Sequence, residues 1–448
     1  MALTSHSESL PDVTRGQALY ARARQRIPGA TQLFGKRAEL YLPQRWPAYA
    51  AKGQGCRLWD LDGNEYRDFT MCGIGACVLG YADPDVNAAV ARSLNAGNMT
   101  TLNCPEEVEL ADLLCELHPW AEMVRYARTG GEIMAMAVRI ARAATGRNEI
   151  AFCGYHGWHD WYLAVNLAGE DALQGHLLPG LDPVGVPTCL AGTVHPFSYN
   201  NLSELEAIVR RRGDKLAAIV LEPVRNDGPE PGFLEGVRAL ASKSGAVLLL
   251  DEITSGWRMR TSGMHMVYEV EPDLATFAKT ISNGIPMAAV IGRRDIMDAA
   301  QKTFISSAYW TERLGPAAAL ATLKKHRELD LGPILTRTGT TVQDGWQKAA
   351  DAAGIKIGIL GIPPVTNFVI QHDNPLALHT LFIQEMLRRG FLASDRFYPT
   401  FAHTARDVAD YLQAVAESFA IVAVANASGT PEKYLEGPVK MAGFKRLN

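Results

Sequence analysis

Three apolar runs in the middle of the chain finish on side chains that can do chemistry. Leu248-Leu-Leu-Asp251-Glu252 ends on a carboxylate, Leu274-Ala-Thr-Phe-Ala-Lys279 on an amine, and Ala218-Ile-Val-Leu-Glu222-Pro223 on a second carboxylate. Any one of these alone reads best as a polar residue leaving a strand. Lys279 fits that reading least, because lysine avoids burial unless paired, and a desolvated amine becomes a nucleophile near neutral pH.

Two more segments add to this set. In Tyr126-Ala-Arg-Thr129-Gly130-Gly131-Glu132, Thr129 and Glu132 have the spacing of a capping box ahead of a helical stretch running to Ala144. Two glycines there allow close approach to the backbone, and the free N–H groups of a helix start suit a phosphate. Gly154-Tyr155-His156-Gly157-Trp158-His159-Asp160 directly follows the run Ile150–Cys153. It offers either a ring to stack on a planar ligand or two histidines and an aspartate for a metal. The intervening glycine and the lack of a second ligand cluster argue against zinc. Gly73-Ile-Gly75 through Gly80 looks superficially like a dinucleotide loop, but its third glycine comes two positions late. No acidic residue closes a following strand, so the segment reads as tight backbone. An amine, a carboxylate, a phosphate seat and a stacking ring are together what pyridoxal phosphate requires, with no metal.

The elements that must position these groups follow from periodicity. From about 105 to 300, helical segments such as Ser203–Arg212 and Leu234–Lys243 separate the runs Ile150–Cys153, Ala217–Leu221, Ala246–Leu250 and Leu274–Ala278. Runs apolar on both faces and divided by helices predict a mainly parallel sheet covered on both sides, with ligands at the strands' C-terminal edge. Before it, Arg15–Arg26 reads as a helix, and Asp62-Gly63-Asn64 as a hairpin turn within the stretch Cys56–Phe69. After about 325 the chain reads as a smaller α+β piece, with the run Gly361–Gln371 and a helix over Ala405–Val424.

Composition narrows the class. Forty-four basic against 48 acidic residues give a net charge of −4, with no basic stripe for nucleic acid. The first residues lack the charged and apolar regions of a signal peptide, and the longest apolar runs are strand-sized, which predicts no membrane association. Seven cysteines without a Cys-x-x-Cys pair read as thiols of a cytoplasmic protein.

The motifs together resemble the class III aminotransferases of fold type I, and within them most nearly the glutamate-1-semialdehyde 2,1-aminomutase branch. The resemblance rests on Trp59-Asp-Leu-Asp-Gly-Asn-Glu-Tyr-Arg-Asp68, Thr129-Gly-Gly-Glu132, Tyr155-His-Gly157, Leu221-Glu-Pro223, Asp251-Glu-Ile-Thr-Ser-Gly-Trp-Arg258 and Phe277-Ala-Lys279. It implies an α/β enzyme with a large cofactor-binding domain over 66–325. A small α+β domain would be built from 1–65 and 326–448. It implies a transaminase moving an amino group from a donor to a ketone or aldehyde through pyridoxamine phosphate, or alternatively an intramolecular aminomutase. Residue by residue, Lys279 matches the Schiff-base lysine that also shuttles the proton, and Asp251 the carboxylate on the pyridinium nitrogen. Ile253 and Tyr155 flank the ring, Gly130 and Gly131 match the phosphate turn, and Glu222 supports the substrate side with His156 behind the site. A homodimer with shared active sites is also implied.

The departures carry expectations of their own. Gly131 stands where the family turn has a hydroxyl residue, and Ala308 where a partner-subunit threonine reaches the phosphate. Thr129, Ser306 or Ser307 are placed to compensate, and the two losses predict an enzyme that releases its cofactor more readily. Gly29–Lys36 holds no arginine, and Ile74 or Cys72 replaces a tryptophan, both of which count against glutamate semialdehyde as substrate. Tyr309-Trp310 suggests a remodelled wall for another carbonyl acceptor, aromatic or sugar-like. Arg37, Arg258 and Arg396 are the candidates for a substrate carboxylate, Arg258 having an equally good structural reading.

Overall fold

The computed structural model describes residues 9–167, 182–224 and 228–443. The chain divides into two compact units, one of residues 1–83 with 334–448 and one of residues 84–333.

The unit of residues 84–333 is built on a seven-stranded sheet. Its strands are β1 (Met123–Ala127), β2 (Glu149–Cys153), β3 (Val194–Pro196), β4 (Leu216–Leu221), β5 (Val247–Asp251), β6 (Leu274–Phe277) and β7 (Ala288–Gly292). They lie in the order β1-β7-β6-β5-β4-β2-β3. β2 is parallel to β3 and β4, and β5 to β4 and β6. β7 is antiparallel to both its neighbours. The ten residues between β6 and β7 are too few for a crossover helix, so the chain can only turn back.

Alternation along the buried strands separates two cores. Ile150, Phe152, Ala218, Val220, Val247 and Leu249 pack with helix α1 (Gly130–Thr145) through Ile133, Met134, Ala137 and Ile140. The intervening residues Ala151, Cys153, Ile219, Leu221, Leu248 and Leu250 pack with α2 (Leu202–Arg212) and α3 (Phe233–Ser244). Strands this apolar on both faces are what a helix-covered parallel sheet demands. The strands not predicted from sequence are β1, β3 and β7. β1 and β3 are the sheet's edges, and Arg125 and Pro196 interrupt their apolar pattern.

The other unit carries an antiparallel ladder of strands Ala50–Gln54, Arg57–Asp60 and Glu65–Phe69, joined in parallel by Phe391–Ala393. The turn at Asp62–Asn64 forms around Gly63 at φ +93°, with Asp60 Oδ1 accepting from the N–H groups of Asp62 and Asn64 at 2.9 Å each. Gly361–Gln371 is a strand only over Thr366–Ile370, because Pro363 and Pro364 lack the N–H a ladder needs. The helix Ala405–Ala427 runs three residues past its expected end and, unlike the expected strand-sized runs, is long and apolar enough to span a membrane. Its Val408, Tyr411, Val415, Phe419 and Val422 recur at helical spacing and fill the unit's core, with Phe69 stacked on Tyr411 at 4.2 Å.

Candidate functional site

Parallel pairing brings the C-terminal ends of β2, β4, β5 and β6 to one edge of the sheet. Two direction reversals, at β7 and again at β1, bring the end of β1 to the same edge. Asp251 is the last residue of β5, Glu222 follows β4, and Lys279 stands two residues past β6.

Asp251 is buried, and both carboxylate oxygens have partners. Oδ2 lies 2.8 Å from His156 Nδ1, and Oδ1 accepts from the Ile253 N–H at 3.0 Å. His156 Nε2 lies 3.0 Å from the Cys153 carbonyl oxygen, and the rings of Phe152, Trp161 and Tyr162 surround the imidazole. Each ring nitrogen of His156 thus lies within hydrogen-bond distance of an oxygen. Among the described residues no group of three or more His, Cys, Asp or Glu side chains is placed to hold a metal ion.

The return loop from β2 explains this placement. Gly154 at φ +106° and Gly157 at φ +100° turn the chain back over the sheet edge, in a backbone region costly for other residues. The space beside Gly154 is filled by Glu222, whose Oε2 accepts from the Tyr155 N–H at 3.3 Å. Tyr155 and Ile253 each pack against the core that contains α1, and both are partly exposed.

Lys279 adopts φ +50°, a strained value for a lysine. Its Nζ donates to Thr254 Oγ1 at 2.8 Å. Thr254 was not among the residues singled out from sequence, and its signal was a hydroxyl three places after Asp251. Arg258 is buried and its Nε donates to the Thr254 carbonyl at 3.2 Å, so it holds this turn in place. Arg37 and Arg396 belong to the other unit, Arg37 buried with its guanidinium 4.1 Å from the Phe34 ring, Arg396 exposed.

At the start of α1 the capping box is complete. Thr129 Oγ1 accepts from the Glu132 N–H at 3.4 Å and donates to Glu132 Oε2 at 3.1 Å. Its one hydroxyl proton is therefore committed within the helix cap. A Cβ on Gly130 would stand 3.2 Å from Ile253 Cδ1, so the residue expected beside the ring adjoins the one expected in the phosphate turn. Arg128, one residue earlier, pairs with Glu312 at 2.7 Å and donates to the carbonyls of Trp310 and Glu312. That ties the 310–312 segment to the turn, while Ser306, Ser307 and Tyr309 are exposed.

Behind β5, Glu252 is fully buried against His265. Burial pushes its carboxyl up, but hydrogen bonds from the His265 Nδ1 and N–H, both 2.8 Å, bring it below the usual carboxylate range. His265 Nε2 accepts from Trp120 Nε1, and His118 Nε2 from the Gly263 N–H. Burial, reinforced by His265, holds His118 down at about 3.

A family model described as aminotransferase class-III matches residues 43–361. A 3-aminobutyryl-CoA aminotransferase of Cloacimonas acidaminovorans is 31% identical, covering 92% of this chain and 98% of its own. A glutamate-1-semialdehyde 2,1-aminomutase of Syntrophobacter fumaroxidans is 35% identical over 83% of this chain and 90% of its own. Among solved structures, an omega-transaminase from Sphaerobacter thermophilus superposes with a TM-score of 0.79 at 26% identity, covering 91% of this chain and 99% of its own.

Two outcomes follow. His118 is neutral when folded and protonates near 6.5 when unfolded, so the stability it contributes is complete above that pH and fades as pH falls towards 3. In urea unfolding measured across that window, His118→Gln is expected to reduce the pH slope by about one proton. Thr254→Val, which removes the hydroxyl that accepts from Lys279 Nζ, is expected to lower turnover roughly tenfold, and Thr254→Ser to restore it.

Proposed function

Because the chain belongs to the class-III aminotransferases, we propose that it transfers an amino group between a separate donor and a carbonyl acceptor, with Lys279, Asp251, Tyr155 and Glu222 as the working side chains. Pyridoxal phosphate is the cofactor of this family, and when bound it supplies an electron sink through its protonated ring nitrogen. The donor set fits that group, and the observation that carries the reading is the pairing of β5 with β6. This parallel pair sets a dry carboxylate and a lysine amine on adjacent strand ends.

In this reading Asp251, oriented by His156, holds the hydrogen on the cofactor's ring nitrogen. Ile253 and Tyr155 clasp the ring faces, and Thr129, Gly130 and Gly131 seat the phosphate at the positive end of α1. Glu222, fixed through the Tyr155 N–H, lines the substrate side. Lys279 Nζ removes and returns the proton of the substrate carbon, with Thr254 holding the amine between these transfers.

Two lines favour a substrate amine away from an α-carbon over glutamate semialdehyde. The full-length relative from Cloacimonas is named for a 3-amino acyl thioester and the solved relative is an omega-transaminase. The stretch Gly29–Lys36 also offers no arginine. The aminomutase remains the second reading, since several relatives of 32–38% identity bear that name. A homodimer belongs to the proposal. Leu102, Trp158, Phe304 and Tyr309, all in the unit that holds the site, are 80%, 69%, 93% and 72% exposed, and in this reading the interface covers them. Ser307 lies in that segment and is proposed to act across the interface. A cytoplasmic location is likewise part of this reading.

Incubation of purified enzyme with β-amino acids or amines, with and without a separate acceptor, tests the reaction. Product beyond one equivalent per enzyme is expected only when both are present, and Lys279→Ala is expected to lose at least about a thousandfold in rate. Isomerisation of one substrate with no partner would favour the aminomutase.

A further inference from the structure

The loop from β2 does more than deliver Tyr155 and His156. Gly157 comes so close to α1 that a Cβ on it would stand 3.2 Å from Gly131 Cα. Two residues on, the His159 ring lies over Gly131: a Cβ there would meet its Cε1 at 2.8 Å and its Nδ1 at 2.9 Å. No side chain, and so no hydroxyl, fits at position 131 while this ring is in place. His159 Nδ1 is inaccessible to solvent and has no hydrogen-bond partner. A buried polar atom left unsatisfied is costly, so its position calls for a partner that the protein itself does not supply. Around it, Thr129 Oγ1 has given its proton to Glu132, and the Gly130 and Gly131 N–H groups at the helix start have no acceptor among the described residues. Trp158, stacked on His159 at 4.5 Å, fixes the plane of the ring.

We propose that His159 is the side-chain donor to the cofactor phosphate, its Nδ1–H completing the group of backbone N–H donors at Gly130 and Gly131. The residue otherwise reads as half of an unlikely metal pair. In this assignment Gly131 and His159 form one unit, the glycine making room for the ring that replaces what a side chain at 131 would do. The assignment rests on the reading of Thr129–Gly131 as the phosphate seat.

The test titrates apoenzyme with pyridoxal phosphate and with pyridoxal, which lacks the phosphate, and follows absorbance. His159→Ala is expected to weaken binding of the phosphorylated form about tenfold or more and to leave pyridoxal unchanged, the unchanged value also showing that the variant folds. Gly131→Ser in the His159→Ala background, where the ring no longer blocks it, is expected to recover most of that loss. His159→Ala binding pyridoxal phosphate within twofold of wild type would overturn the role of His159. Gly131→Asp in the same background separates the two readings, since a carboxylate in the seat must abolish selectivity for the phosphorylated form. If that variant keeps its selectivity, the seat itself is misplaced and the proposal falls with it.

Discussion

A carboxylate kept dry at the end of a central strand is the constraint from which the rest of the site follows. Burying Asp251 without partners would cost several kcal/mol, and the sheet supplies none because its strand ends leave the edge open. His156 and the Ile253 N–H meet that demand, and His156 can reach Asp251 only if the chain doubles back after β2. Gly154 and Gly157 make that reversal possible, and the same reversal presses the loop onto Gly131. Under the proposed function, one segment therefore holds both the partner of the ring nitrogen and the phosphate seat, and a shift of that loop would disturb both together.

Alternation along β5 gives the next residue a different task. Asp251 follows the parity of Leu249 toward α1, whereas Glu252 points to the opposite side and is enclosed by His265, Ser255 and backbone N–H groups. A buried anion satisfied by these hydrogen bonds pins the turn that carries Ile253 and Thr254. Thr254 in turn meets Lys279, whose backbone is held in a strained conformation just past β6. Such strain persists only where the surroundings over-determine it, and here the turn after β5 and the ladder with β7 provide that restraint.

The central strands were legible in the sequence because burial on both faces leaves an unbroken apolar run, and Asp251, Glu222 and Lys279 stood out as the polar residues ending such runs. The edge strands β1 and β3 were not legible, since one wet side breaks the pattern, and neither was the antiparallel β7, whose direction is fixed by a short connection. Thr129 and Glu132 announced their helix start by spacing alone. Thr254 and the Glu252–His265–His118 network were hidden, because a contact across turns distant in sequence leaves no periodic trace. His159 was visible only as an ambiguous histidine until its ring was found against Gly131.

The most direct measurement is to reduce the protein, loaded with pyridoxal phosphate, with borohydride and map the modified peptide by mass spectrometry. The account predicts a pyridoxyl group on Lys279, lost in Lys279→Ala and formed less completely in Asp251→Asn. A pyridoxyl group on any other lysine, or none on a protein that has bound the cofactor, would contradict it.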